Sequence, residues 1–203
     1  MNDKDIDIVF HVGLHKTGTT FLQKEIFGKS PDVFLTREPI LHMGYKSNKV
    51  NVVSLESLSG VPHKPSVNQE CRNVVIDRIY WVYPRAKIIL GLRDKKSWLC
   101  SVYSQYIKTG GTKLFNDWYT NVFDKSLLDF KGYEKHIRSF FDNVLVYQYE
   151  QLNDDEKSFT KQICDFIGIS IPEHENKVYN KCLSDKEIRR YRFMNKLCGL
   201  DMG

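Results

Sequence analysis

Apolar positions first crowd together in "IDIVFHV", residues 6–12, a run with the length and β-branched content of a buried strand. After a glycine-containing loop the spacing turns helical over 19–26. Residues 49–56, "KVNVVSLE", return to strand character, with a further short strand expected near Phe34 and a break at Pro39. Over 68–83 the apolar positions recur at helical spacing until Pro84 stops them. "AKIILGLR", 86–93, is strongly apolar, as strands are when a parallel sheet is covered on both faces. Residues 95–109 are helical again and close at Gly110 and Gly111. A helix around 133–141 precedes a strand at 144–150, and 154–168 reads as an amphipathic helix stopped by Gly168. A last helix starts at Ser184, where Glu187 three residues on completes a capping box.

Strands alternating with helices predict the α/β class, here a P-loop NTPase-like three-layer sandwich whose central, mainly parallel sheet is flanked by helices. No internal repeat or linker interrupts the pattern, so residues 1–203 are expected to form a single domain, with continuation past Gly203 left open. In such sheets ligands bind beyond the carboxyl ends of the strands. The loops after Val12, Ser54, Leu92 and Tyr149 all emerge there.

Composition narrows the class without changing it. Apolar residues make up 41% and charged residues 27%, a globular and not a disordered profile. Five scattered cysteines with no C-x-x-C pair suggest reduced thiols and argue against a disulfide framework or a zinc site. No apolar run approaches the roughly 18 residues of a membrane span, and the acidic opening is unlike a signal peptide. A cytoplasmic location is therefore expected. The formal charge of +5 is concentrated at the end: from Lys177 onward seven basic residues face three acids. That local excess suits a small anion, or a solvated basic helix face, better than it suits nucleic acid.

The chemistry is concentrated in "VGLHKTGTTFLQ", residues 12–23. A nucleotide triphosphatase loop reads G-x-x-x-x-G-K-[ST]. Gly13 and Gly18 keep the glycine spacing and Thr20 the hydroxyl, but Thr19 stands where that lysine belongs, and the lysine is Lys16, inside the loop. Backbone N–H groups and the following helix N-terminus still attract an anion. Residues 92–94 are the nearest approach to a magnesium-holding strand end, and there the aspartate follows an arginine.

"GLHKTGTTFL" resembles the 5′-phosphosulfate loop of the P-loop sulfotransferases, which use 3′-phosphoadenosine 5′-phosphosulfate. A second stretch, "RDKKSWLCSVY", also resembles that family, with Lys95 where many members have proline. The likeness, most marked to bacterial and carbohydrate-type members, continues through "VLVYQYEQLNDDEKSFTKQICDFIGI" and "VYNKCLSDKEIRR". The resemblance implies a donor site built from His15, Lys16, Thr17, Gly18, Thr19 and Thr20. It also implies that Arg93 and Ser101 hold the 3′-phosphate, with Lys181 beside it, and that no metal is required. A planar guanidinium and an oriented hydroxyl are suitable donors for a dianion.

Sulfonyl transfer needs a group that stabilises the leaving phosphate and one that takes the acceptor's proton. Lys16 is the candidate for the first. Glu56, at the end of the 49–56 strand, is the candidate base, as the resemblance to members with a serine-x-glutamate strand end implies. Desolvation there is expected to lift its pKa toward neutrality. His42 and His63 are rivals. The acceptor, a small molecule or carbohydrate, is not specified beyond an aromatic and basic rim that includes Trp98, Tyr103 and Tyr106. A P-loop kinase and a non-catalytic nucleotide-binding module of the same fold are the alternatives, the first lacking a lysine at 19 and the second leaving Lys16 and Arg93 without a task.

Overall fold

The apolar runs become five strands of one sheet in a computed structural model that describes residues 7–36, 45–62, 70–175, 177, 179 and 182–200. They are β1 (Ile8–His11), β2 (Val33–Thr36), β3 (Val50–Ser54), β4 (Lys87–Leu92) and β5 (Val144–Gln148). All pair in parallel, in the order β2-β3-β1-β4-β5. From β1 the chain crosses to the edge strand β2, returns to β3 beside β1, and then adds β4 and β5 on the other side. The crevice between β1 and β4 is thus the switch point at which such sheets bind ligands.

Side chains of successive strand residues enter opposite cores. In β4, Ile88, Leu90 and Leu92 join one cluster and Ile89 the other; in β1, Phe10 joins the first and Val9 the second. Both faces are covered, which is why these strands read as unbroken apolar runs and not as alternations. The first core is closed by α2 (Glu70–Val82), α3 (Lys95–Lys108), α4 (Phe115–Asn121) and α5 (Phe130–Phe140), through Ile76, Trp98, Trp118 and Tyr133 among others. The second is closed by the helix after the loop and by α7 (Glu156–Ile167), through Phe21, Ile26, Phe159 and Ile163. Trp98, Trp118, Tyr106 and Tyr133 are fully buried. Large aromatics each bury about 150–250 Å², so this helical layer supplies much of the first core's hydrophobic stabilisation.

Three elements differ from the sequence expectation. The helix over 19–26 starts as α1 (Thr19–Phe21) and widens into a π-helical turn, Leu22–Phe27, with the Gly28 N–H bonding Gln23 O at 3.1 Å. Its side chains are anchored on two sides, Gln23 to Ser54 and Glu25 to Lys29, which the wider turn accommodates. The strand expected to reach 150 stops at Gln148, because Gln148 and Gln151 form a capping box that opens α6 (Tyr149–Asp154). Helix α4 has only seven residues, too few for a periodic signal, yet it contributes the buried Trp118. The break at Pro39 and the first residues of the helix expected from 68 lie outside the described residues. The final helix, α8 (Asp185–Leu197), has the Ser184–Glu187 capping box that its sequence predicts.

Candidate active site

Between β1 and α1 the chain must reverse tightly, and two residues adopt left-handed backbone to do so: Gly18 at φ 89° and Lys16 at φ 69°. For lysine that conformation costs on the order of 1–2 kcal/mol, so neighbouring contacts must hold it. They do so carbonyl by carbonyl. Ser59 Oγ donates to Gly13 O at 3.0 Å and Thr17 Oγ1 to Leu14 O at 2.6 Å. Trp98 Nε1 donates to His15 O at 2.8 Å, Arg93 Nη1 to Lys16 O at 3.0 Å and the Tyr147 hydroxyl to Thr17 O at 3.0 Å. In a trans peptide the N–H points opposite to the preceding C=O. Fixing five successive carbonyls on donors turns the N–H groups of residues 15–18 the other way, into a nest of the kind that attracts anions at a helix N-terminus, while Leu14 N–H donates to Gly91 O at 3.1 Å.

Lys16, Gly18, Thr19 and Thr20 line a cavity of about 170 Å³ together with Glu56, Arg93 and Ser101. Residues from β1, β3 and β4 loops and from α3, spread over some eighty positions, thus face one space. The Lys16 ammonium donates to Gln105 Oε1 at 2.8 Å. Burial lowers its pKa, as do the nearby charges of Lys108 and Arg93, while Glu56 opposes the shift. Arg93 is fixed on three sides: Nε donates to Ser97 Oγ at 2.9 Å, Nη1 to the loop, and Cζ lies 4.5 Å from the Tyr149 ring centroid. Thr19 Oγ1 is buried in the cavity wall with no hydrogen-bond partner among the described residues.

His15 and Thr17 do not line this cavity. The Thr17 hydroxyl is turned under the loop, and His15 Nδ1 lies 3.0 Å from Glu56 Oε2. Glu56 begins a 3-10 turn, Glu56–Ser59, just past β3. Its expected rise in pKa is not found. Desolvation does push the carboxyl up, but the hydrogen bond from His15 and the charges of His15 and Lys16 outweigh it and leave the group below the usual carboxylate range. Asp94, the nearest candidate for a magnesium-holding carboxylate, instead caps α3 by accepting from Ser97 N at 2.9 Å. Lys181, His42 and His63 lie outside the described residues.

Several lining residues escaped the sequence reading. Tyr149 and Leu152 come from α6, and Lys177 and Tyr179 from the segment before α8. Tyr179 is positioned by its hydroxyl bond to Glu25, which also takes the Lys29 ammonium at 2.7 Å and the Glu175 N–H at 3.2 Å. Gln105 had a legible signal: it stands four residues after Ser101, on the same face of a helix. Tyr179 had none, because its place depends on a contact 154 positions away.

An anion nest at the switch point of a parallel sheet, with cationic side chains converging from two neighbouring strand ends, defines a P-loop-like α/β sandwich. A sequence profile of the sulfotransferase domain matches residues 6–197, and the chain belongs to that family. Among solved structures it is similar to a sulfotransferase from Alicyclobacillus acidocaldarius, at 15% identity and a TM-score of 0.58 over 92% of this chain and 91% of that one. It is also similar to mouse sulfotransferase SULT7A1 complexed with PAP, at 19% identity and a TM-score of 0.54 over 93% of this chain. The chain spans 64% of the mouse protein's length. No curated protein matches it by sequence. Among the described residues no helix is long and apolar enough to cross a membrane, and no group of three or more acidic, histidine or cysteine side chains is arranged to hold a metal ion.

Proposed function

We propose that the protein transfers a sulfonyl group from 3′-phosphoadenosine 5′-phosphosulfate to a hydroxyl or amine of a small-molecule or carbohydrate acceptor, without a metal. One observation carries this reading: Lys16 and Arg93, far apart in sequence, line the same cavity with Ser101 and Glu56. The residues suit such a donor. The nest, the Thr19 hydroxyl and Lys16 would hold its phosphosulfate end, and Arg93 and Ser101 its 3′-phosphate, with Lys177 adding positive charge to the same wall. PAP in the mouse relative supports this choice of nucleotide.

The donor supplies a sulfonyl group attached to a phosphate leaving group. What the chain contributes is positioning and charge. Lys16, desolvated and held by Gln105, places an ammonium where negative charge grows on the leaving oxygen. Glu56, ionised at neutral pH, accepts the acceptor's proton, while His15 fixes the direction of its carboxylate. The tyrosine under Arg93 keeps the guanidinium plane from rotating away from the cavity.

Calorimetry with adenosine 3′,5′-bisphosphate, compared with ATP plus magnesium, tests the reading. Metal-free binding of the bisphosphate, weakened about 10- to 100-fold in Arg93→Ala through loss of a charge-assisted donor, is expected. Preference for ATP with magnesium would refute it. Lys16→Ala should lower turnover about 10²- to 10³-fold, with a smaller loss of bisphosphate affinity than in Arg93→Ala.

A further inference from the structure

Under the loop runs a buried line of polar side chains that the proposed reaction does not use. Gln23 Nε2 donates to Ser54 Oγ at 3.0 Å; Ser54 Oγ lies 2.9 Å from His11 Nδ1; His11 Nε2 lies 3.1 Å from the Tyr147 oxygen; and the Tyr147 hydroxyl reaches Thr17 O at 3.0 Å. His11, Ser54, Thr17 and Tyr147 are all 0% exposed. The line joins three strands, β3, β1 and β5, crossing β4 at Gly91, to the backbone of the loop.

Its direction follows from donor and acceptor inventory. A carbonyl only accepts, so the single Tyr147 proton goes to Thr17 O. The Tyr147 oxygen must then accept from His11, which places a hydrogen on Nε2. Burial pushes the His11 pKa down to about 4, so the ring is neutral and Nδ1 is a bare acceptor. Nδ1 takes the Ser54 hydroxyl proton, and a Ser54 lone pair takes the Gln23 amide. Every proton has one place. Two glycines leave the line no room to shift: a Cβ at Gly13 would stand 2.8 Å from His11 Nε2, and one at Gly91 would stand 2.4 Å from the Tyr147 hydroxyl and 2.7 Å from Thr17 Oγ1.

We propose that His11, as its Nε2–H tautomer, is a positioning residue for the anion loop, coupling the end of β3 through Ser54 and Tyr147 to the Thr17 carbonyl. The peptide plane so fixed aims the Gly18 N–H into the nest, and the same line holds Ser54, two residues before Glu56, in register with the loop. Base and nest are thereby set by one rigid connection beneath both. The ligand-binding part of the test rests on the donor proposed above, whereas the spectroscopic part does not.

Imidazole ¹⁵N NMR on the intact chain should show His11 protonated at Nε2 and still neutral at about pH 5.5, where an ordinary histidine is mostly charged. Ser54→Ala should shift its Nδ1 resonance, and Tyr147→Phe the Gly18 amide. An Nδ1–H tautomer would overturn the assignment. Each variant removes two buried hydrogen bonds of the line and should bind adenosine 3′,5′-bisphosphate about five- to tenfold more weakly, and the double variant little more weakly than the worse single one. Multiplying losses, or lower Tm with unchanged affinity, would reduce the line to a structural role. Should Tyr147→Phe not fold, Ser54→Ala alone decides by the same two readouts. If the wild-type chain binds no bisphosphate, the donor reading fails, and the positioning role is then judged on the Nε2–H signal and the Gly18 shift.

Discussion

Glu56 and Lys16 are two charges whose surroundings pull in opposite directions, and their balance sets the pH range in which the site has its working charges. Burial raises the Glu56 carboxyl, yet His15 at 3.0 Å and the Lys16 ammonium bring it below its ordinary value of 4.5. Burial also lowers Lys16 from 10.5. The limbs of kcat/KM report the free enzyme, so the acid limb is expected below 4.5 and the alkaline limb below 10.5. In His15→Ala the counter-pull is lost while desolvation stays. The acid limb should therefore move upward, and a pH–rate profile that keeps its acid limb in place would remove Glu56 as the base. Glu56→Gln should cost about 10²- to 10⁴-fold in kcat with little change in bisphosphate affinity.

At the scale of elements, the helix after the loop serves as an anchor as well as the wall of the proposed donor site. Its Glu25 is buried and accepts from Lys29, Tyr179 and the Glu175 backbone, which together hold the carboxyl at about 2. A carboxylate depressed in the folded state stabilises above its unfolded pKa and loses that contribution as pH falls through the folded one. The stabilisation should thus be complete above about 4.5 and fade toward about 2. Glu25→Gln is expected to lower Tm by about 3–6 °C at neutral pH and to flatten Tm against pH below 4.5. It should also weaken bisphosphate binding, because Tyr179 lines the donor cavity; thermal melts across pH and calorimetry measure both. In β4, Gly91→Ala would drive a methyl into Tyr147 and Thr17 from a central strand that cannot retreat. A destabilisation of about 1–3 kcal/mol with loss of bisphosphate binding is expected from denaturant melts and calorimetry.

For the whole molecule, a ligand bridging the β1 and β4 loops should stabilise the fold without any ion, since it ties together the two sides of the sheet that meet at β1. At a hundredfold excess over Kd the gain is about 2.7 kcal/mol, or about 5–10 °C in Tm for a chain of this size, and chelators should leave it unchanged. A shift that required magnesium would contradict the donor assignment. Much of this architecture was legible in one dimension. Strands covered on both faces are apolar at most positions, so the runs around Val9 and Ile89 announced a parallel sheet, and the glycine spacing around Lys16 announced a tight loop between strand and helix. Period and spacing are local, and so were the errors: α4 is too short to show a period, and the strand at 144–150 ended early because a capping box intervened. The sequence by itself determined the layers, the loop and the residue types offered to a ligand, because the apolar period of a strand or helix and the glycine spacing of a turn are carried by neighbouring positions. Only the tertiary structure decided that His15 binds Glu56 and pulls its pKa down, that Gln105 holds Lys16, and that His11 joins Ser54 to Tyr147. Those are pairings between distant positions, created when burial removes water and leaves each polar group to find its partner in the fold.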